Sequence, residues 1–205
     1  MTLKRLASIA LASFAALGAA TAHADTNLLA DGNFESFTSQ VSNGGYTTFN
    51  AGSALGAWSV TGTSVDLIRN AYGAINNISV DLAGTPGPGY ISQTFNAVAG
   101  TTYTLAWDQF RNGANTASMV VSLGGTNTTV AAATAITHET LNWTAAASGL
   151  QTIKFGTASS GVAGPTLDNV VLTGASISAV PEPTSTALLL AGLSCVGWIA
   201  RRRNR

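Results

Sequence analysis

Between residues 101 and 110 the side chains alternate in kind. Tyr103, Leu105 and Trp107 fall on one face, Thr102, Thr104 and Asp108 on the other. A period of two belongs to a β-strand with one buried face. The same alternation sets Ile91, Gln93, Phe95 and Ala97 against Tyr90, Ser92, Thr94 and Asn96, and it returns at Ile153 and Phe155. Across 117–123, Met119, Val121 and Leu123 oppose Val120 and Ser122, so both faces of that run are expected to be partly buried. Runs of β-branched and aromatic residues predict strands at 27–29, 34–38, 57–61, 64–68, 78–82, 90–97, 101–110, 117–123, 128–131, 140–144, 151–156 and 168–173. Gly44-Gly45, Asn76-Asn77, Pro86-Gly87-Pro88-Gly89, Gly100, Asn112-Gly113, Gly124-Gly125 and Gly164-Pro165 punctuate them.

No helical spacing of apolar residues persists between 25 and 178. Many short strands without helices predict an all-β fold, an antiparallel β-sandwich of two packed sheets, in one domain spanning 25–178. Trp58 and Trp107 are assigned to its core, because large rings dominate sandwich interiors.

The two ends of the chain follow a different pattern. Residues 1–24 read as a secretory signal peptide, with Lys4-Arg5, an apolar run from Leu6 to Ala20, and a small-x-small site at Ala22-His23-Ala24. Residues 184–200 form a second apolar run, closed by Trp198 and the Arg201-Arg202-Arg203 cluster. As a helix it would extend about 25 Å, the short end of what crosses a bilayer. The positive-inside rule puts the arginines in the cytoplasm and 25–180 outside it.

Charge separates along the same lines. The chain has 205 residues with nine Lys+Arg and nine Asp+Glu, and only 9% of residues are charged. Residues 25–180 hold three bases (Arg69, Arg111, Lys154) against eight acids, a net of −5. Such a body has no basic stripe for phosphates, which argues against nucleic acid as a partner. Its only histidine is His138, and the only cysteine, Cys195, lies in the C-terminal apolar run. Disulfides, thiolate zinc sites, a Cys nucleophile and a two-His metal site are thereby excluded from the body.

Val180-Pro181-Glu182-Pro183, followed by the apolar run and the arginines, closely resembles the PEP-CTERM sorting signal over 179–205. The resemblance implies that Pro181, Glu182 and Pro183 are read by an exosortase-type membrane protease. It also implies a transient stay in the inner membrane, then the cell surface or the extracellular space. A second resemblance runs through the body. Asn27-Leu28-Leu29-Ala30-Asp31-Gly32-Asn33-Phe34-Glu35 opens it, and Trp58-Ser59-Val60, Ser64-Val65-Asp66-Leu67-Ile68 and Ser79-Val80-Asp81-Leu82 follow. Gly89-Tyr90-Ile91-Ser92-Gln93-Thr94-Phe95 and Gly164-Pro165-Thr166-Leu167-Asp168-Asn169-Val170 complete the order. This order is similar to the choice-of-anchor C family and to related cell-wall-associated plant proteins, both like galactose-binding-like jelly rolls. The stretch 126–137, rich in Ala and Thr, carries no signature of that family.

The second resemblance implies that first and last strands are neighbours, so that Glu35 and Asp168 meet. Similar carbohydrate-binding jelly rolls hold a structural Ca²⁺ there through the matching pair. Two hard carboxylates, with oxygens from Asp31 and Asn33, suit an ion that takes six to eight oxygens.

A second group of side chains has the composition of a sugar site, in which rings cover C–H faces while carboxylates and guanidinium groups pair with hydroxyls. Asp66, Arg69, Tyr72, Asp108 and Arg111 are the expected ligand contacts. On a regular strand Asp108 and Trp107 point to opposite faces, so the two do not share a site. Asp66 and Asp81, each in Val-Asp-Leu, also suit orienting a loop. An enzymatic reading finds less support. No Gly-x-Ser-x-Gly elbow or phosphate loop occurs, His138 has the setting of a strand-edge residue, and the candidate carboxyls, such as Asp66 with Asp108, have no spacing in sequence that establishes a glycosidase distance. The expectation is therefore a non-enzymatic exopolysaccharide-binding or structural protein of the extracellular matrix. Alternatives are a glycan-modifying enzyme and an adhesin that self-associates through sheet edges.

Overall fold

The computed structural model describes residues 26–174. The signal segment 1–24 and the sorting segment 179–205, with Pro181, Glu182 and Pro183, lie outside the described residues. Twelve strands make up the fold: β1 (Tyr46–Asn50), β2 (Ala54–Leu55), β3 (Trp58–Gly62), β4 (Ser64–Arg69), β5 (Ile78–Asp81), β6 (Gly89–Ala97), β7 (Thr102–Arg111), β8 (Met119–Leu123), β9 (Thr126–Val130), β10 (Thr137–Thr144), β11 (Gly149–Thr157) and β12 (Pro165–Gly174). They form two six-stranded antiparallel sheets, ordered β1-β4-β5-β12-β7-β10 and β2-β3-β6-β11-β8-β9. The chain crosses repeatedly from one sheet to the other, which is the jelly-roll form of the sandwich.

Alternation decides which side chains meet between the sheets. On β7, Tyr103, Leu105, Trp107 and Gln109 point inward and are buried. Trp58, Trp107 and Phe155 meet at the centre, with Phe155 5.6 Å from Trp107 and 6.2 Å from Trp58 between ring centroids. The outer face of the first sheet is also partly covered. Loop 70–77 folds back across it: Ile75 is buried, its N–H donates to Ser79 Oγ at 2.7 Å, and Thr166 Oγ1 donates to the Gly73 carbonyl at 2.8 Å. This cover explains why Ser79, Asp81, Thr166 and Asp168 are buried although they face away from the core.

Three local expectations need correction. Residues 34–38 are not a strand. Phe34 takes a left-handed conformation (φ 53°) and Glu35–Gln40 form a 3-10 helix. There Thr38 Oγ1 donates to the Glu35 carbonyl at 2.7 Å, a local side-chain bond that competes with strand pairing. Residues 27–29 are irregular, yet they lie beside β12: Leu28 N–H donates to the Leu172 carbonyl, and Asn27 Oδ1 accepts from Leu172 N–H. The opening and closing segments are thus neighbours. Finally, β1 and β2 fall in a stretch where no strand was expected. Tyr46-Thr47-Thr48-Phe49 nevertheless is a run of β-branched and aromatic residues after Gly44-Gly45, with Phe49 packed against the core.

Candidate functional site

Register places the carboxylates of the first sheet in two rows on its outer face. Asp66 of β4 stands opposite Asp81 of β5, which stands opposite Thr166 of β12. In the other row Asp168 of β12 stands opposite Asp108 of β7, which stands opposite His138 of the edge strand β10.

Glu35 and Asp168 come together at one end of the second row, joined by consecutive asparagines. Glu35 Oε2 accepts from Asn77 Nδ2 at 2.7 Å and Oε1 from Ile78 N–H at 3.1 Å. The Asn76 side chain lies beside Asp168, whose Oδ1 accepts from Asn169 N–H at 2.7 Å. Burial pushes the Asp168 carboxyl up to about 7; the bond from Asn169 and the Asn76 side chain oppose that, and the Glu35 and Asp108 carboxylates add to it. Phe34, Asn76 and Asn169 all have positive φ, and a bulge interrupts the β12–β7 register between Asp168 and Val171. Strained backbone of this kind persists only where the surrounding structure enforces it. The pair fits a hard cation in kind, because both donors are carboxylate oxygens. No third Asp, Glu, His or Cys joins them among the described residues. The remaining oxygens would be backbone carbonyls, asparagine amides or water.

The five expected ligand contacts do not form one site. Arg69 is a structural clamp. Its Nε donates to Asn77 Oδ1, and its Nη1 donates to the carbonyls of Thr38 and Val41, fixing the 3-10 helix to β4. Asp108 is engaged on both oxygens: His138 Nδ1 lies 2.7 Å from Oδ1, and Asn169 Nδ2 donates to Oδ2 at 2.8 Å. Arg111 ends β7 opposite Pro165. Asp66 and Tyr72 do come together. They line a cavity of about 170 Å³ with Tyr46, Ile68, Thr85, Asn112 and Val162.

That cavity has the anatomy of a small-molecule subsite. Tyr46 and Tyr72 are half-exposed and meet edge to face, centroids 5.6 Å apart. Asp66 is buried in its lining, with its carboxylate oriented by Thr85, whose N–H and hydroxyl donate to the two oxygens. Asp81 supports the wall behind it, accepting from Ala83 N–H, Gly164 N–H and Asn112 Nδ2. Burial, and less strongly the nearby Asp66 carboxylate, raise the Asp81 carboxyl to about 6 against these three bonds. Both aspartates therefore do hold loops in place. Tyr46, Thr85 and Asn112 were not anticipated. The signal for Tyr46 was the β-branched and aromatic run after Gly44-Gly45; for the loop residues Thr85 and Asn112 none was present.

On the second sheet Tyr90 lies over Gly156, where a Cβ would collide with its ring, and Lys154 Nζ sits 4.0 Å from the ring centroid.

Solved structures with a similar fold include the enzymatically active domain of bacteriophage CBA120 tailspike protein 4. It shares 14% identity with a TM-score of 0.46, over 72% of this chain and 21% of that one. The chain thus spans about a fifth of that protein. The CBM36-1 domain of a multidomain xylanase from the hindgut metagenome of Trinervitermes trinervoides shares 21% over 64% of this chain and 99% of its own, with a TM-score of 0.44. A family 35 carbohydrate binding module from Clostridium thermocellum shares 16% over 62% and 96%, with a TM-score of 0.39. No curated protein matches the chain. The PEP-CTERM protein-sorting motif matches residues 179–204, which implies exosortase-dependent export. The family model described as "Protein of unknown function (DUF642)" matches residues 27–173, the whole sandwich, and to that family this chain belongs.

Proposed function

We propose that the protein is an exported, non-enzymatic glycan-binding component of the extracellular polysaccharide matrix, and that the Tyr46–Tyr72 cavity is its sugar subsite. The carrying observation is the juxtaposition of two half-exposed tyrosine rings with an oriented, buried carboxylate in one cavity. The rings offer faces and edges to sugar C–H groups, and Asn112 Oδ1, with the lone pairs that Thr85 leaves open on the Asp66 oxygens, offers partners to hydroxyls. Net charge of −5 in the body favours a neutral glycan over a polyanion, since like charges repel at every approach. A weak, repeated subsite is sufficient for a matrix protein, because a polymer presents many equivalent sugars.

The test is retention on exopolysaccharide prepared from the producing cells. Wild-type protein should be retained, Tyr72→Ala should pass through, and both should melt at the same temperature because Tyr72 is a surface residue. Equal retention of the two proteins removes the cavity from the proposal; breakdown of the polysaccharide by the wild type removes its non-enzymatic part.

The Glu35–Asp168 pair is proposed as a structural calcium site. The support is a buried carboxylate held beside a second one, with only neutral hydrogen-bond donors around them. Calcium should raise the melting temperature of the metal-stripped protein, and Glu35→Gln should abolish that rise. A melting temperature indifferent to calcium and chelator contradicts the assignment.

A further inference from the structure

The register of the strands defines two ends of the sandwich with unlike chemistry. One end gathers the start of β7 (Thr102), the end of β10 (Thr144), the end of β6 (Ala97) and the start of β11 (Gly149), since Thr102 pairs with Thr144 and Ala97 with Gly149. β12 also finishes there, with Gly174 opposite Tyr103. The opening segment runs antiparallel to β12, from Leu28 against Leu172 to Gly32 against Val170, so Thr26 emerges at the same end. Both termini of the described chain therefore leave from one end.

Among the described residues that end carries no charge. Residues 26–30, 94–106, 121–130, 140–153 and 169–174 contain no Asp, Glu, Lys, Arg or His. The charged side chains of the strands all lie at the level of Trp107 or beyond it, toward the opposite end. Exposed apolar side chains gather here instead: Leu150 is 70% exposed, Leu28 43% and Val98 42%, beside exposed Ala99, Ala146 and Ala147. The two tip loops also satisfy each other's backbone. Gly100 N–H donates to the Ala145 carbonyl, Ala145 N–H to the Thr101 carbonyl, and Ala99 N–H to Ser148 Oγ. Such a tip loses little hydrogen bonding when it leaves water.

Nine residues, ten Cα–Cα steps, separate Gly174 from Thr184, where the apolar run of the sorting segment begins. Fully extended they reach about 35 Å, so a tail held in the bilayer keeps this end close to the lipid. We propose that, while the chain is tethered by its tail, this uncharged end rests on the bilayer surface through Val98, Leu150 and Leu28. The contact needs little intrinsic affinity, because the tether raises the local concentration of the membrane. Once the tail is cut, the same contact is too weak to hold the domain, and the protein leaves. The orientation also has a consequence for the cavity. Asp66, Thr85, Asn112 and Val162 lie toward the far end, about 30 Å away along the ten residues of β7 at roughly 3.3 Å each. The sugar subsite then faces outward before release. This inference stands on the tail lying in the membrane and is independent of the glycan reading.

The experiment uses the full-length chain with Cys195→Ser, reconstituted into phosphatidylethanolamine–phosphatidylglycerol vesicles that contain nitroxide-labelled lipid. A polarity-sensitive fluorophore is attached at Val98→Cys, Leu150→Cys or, at the far end, Val162→Cys, a position 52% exposed in the structure. Emission at positions 98 and 150 should shift to the blue, with lipid quenching at least about twofold stronger than at 162. Equal quenching at the three positions overturns the proposal, as does a chain that fails to sediment with the vesicles. A blue shift at 98 and 150 that grows with protein concentration, without lipid quenching, would assign this end to a second copy of the chain and overturn it as well.

Discussion

Replacing Asp168 by Asn removes a buried charge and keeps the shape of the side chain. In the folded protein the Asp168 carboxyl lies at about 7 rather than 3.8, first because burial strips its water and then because Glu35 and Asp108 stand near. An acid whose pKa is higher folded than unfolded binds its proton more tightly in the native state. Its favourable contribution is therefore complete below the unfolded value and is lost as pH rises through the folded one. Between pH 5 and pH 8 this amounts to about 2–3 kcal/mol of lost stability, from 1.36 kcal/mol for each tenfold change in the proton equilibrium. Asparagine is neutral throughout that range. Urea unfolding followed by the fluorescence of buried Trp58 and Trp107, in chelator at pH 5 and pH 8, separates the two proteins. The wild type should lose about 2–3 kcal/mol more than Asp168→Asn on going to pH 8. Adding calcium at pH 8 should restore the wild type, because the ion takes the place of the lost proton, and should leave the variant unchanged. Parallel pH dependence of the two proteins would refute the reasoning about burial; a calcium effect of equal size in both would refute the assignment of the ion.

Other substitutions test the packing and the clamp. Phe155→Ala empties the space between Trp58 and Trp107 and should cost about 3–5 kcal/mol in urea unfolding. Gly84→Ala sets a Cβ against the backbone of Ser64 and Val65, so a loss of about 1–3 kcal/mol is expected, read as a lower midpoint. Arg69→Met removes three hydrogen bonds that hold the 3-10 helix and should cost about 2–3 kcal/mol, with faster amide exchange confined to residues near Thr38 and Asn77. Asp66→Ala frees Thr85 and should weaken sugar binding together with protection of the Thr85 amide, which nuclear magnetic resonance reads directly.

Much of the sandwich was legible because strands such as β7 and β8 bury one face more fully than the other. The alternation through Tyr103, Leu105 and Trp107 has one strong reading, whereas the neighbouring ends of the domain were expected only from the resemblance to galactose-binding-like jelly rolls. The failures share a physical cause, which is that side chains met partners remote in sequence. Phe34 to Thr38 looks extended by composition, but Glu35 spends its carboxylate on Asn77 and Ile78, forty residues further on, and the chain turns there. Arg69 resembles a surface ligand contact until the carbonyls of Thr38 and Val41 are seen around it. Asp108 alternates outward as expected, yet His138 and Asn169 occupy both its oxygens. Tyr46 was overlooked because its strand is short and polar, and only the pairing of Tyr46 with Ile68 brings it beside Tyr72.

The most direct test observes the sugar itself. Intermolecular nuclear Overhauser effects between the tyrosine rings and a neutral oligosaccharide cut from the producing cells' exopolysaccharide should connect sugar C–H protons to Tyr46 and Tyr72. Contacts confined to Tyr90 on the opposite sheet, or no contacts at saturating sugar, would contradict the claim that this cavity is where the protein meets its matrix.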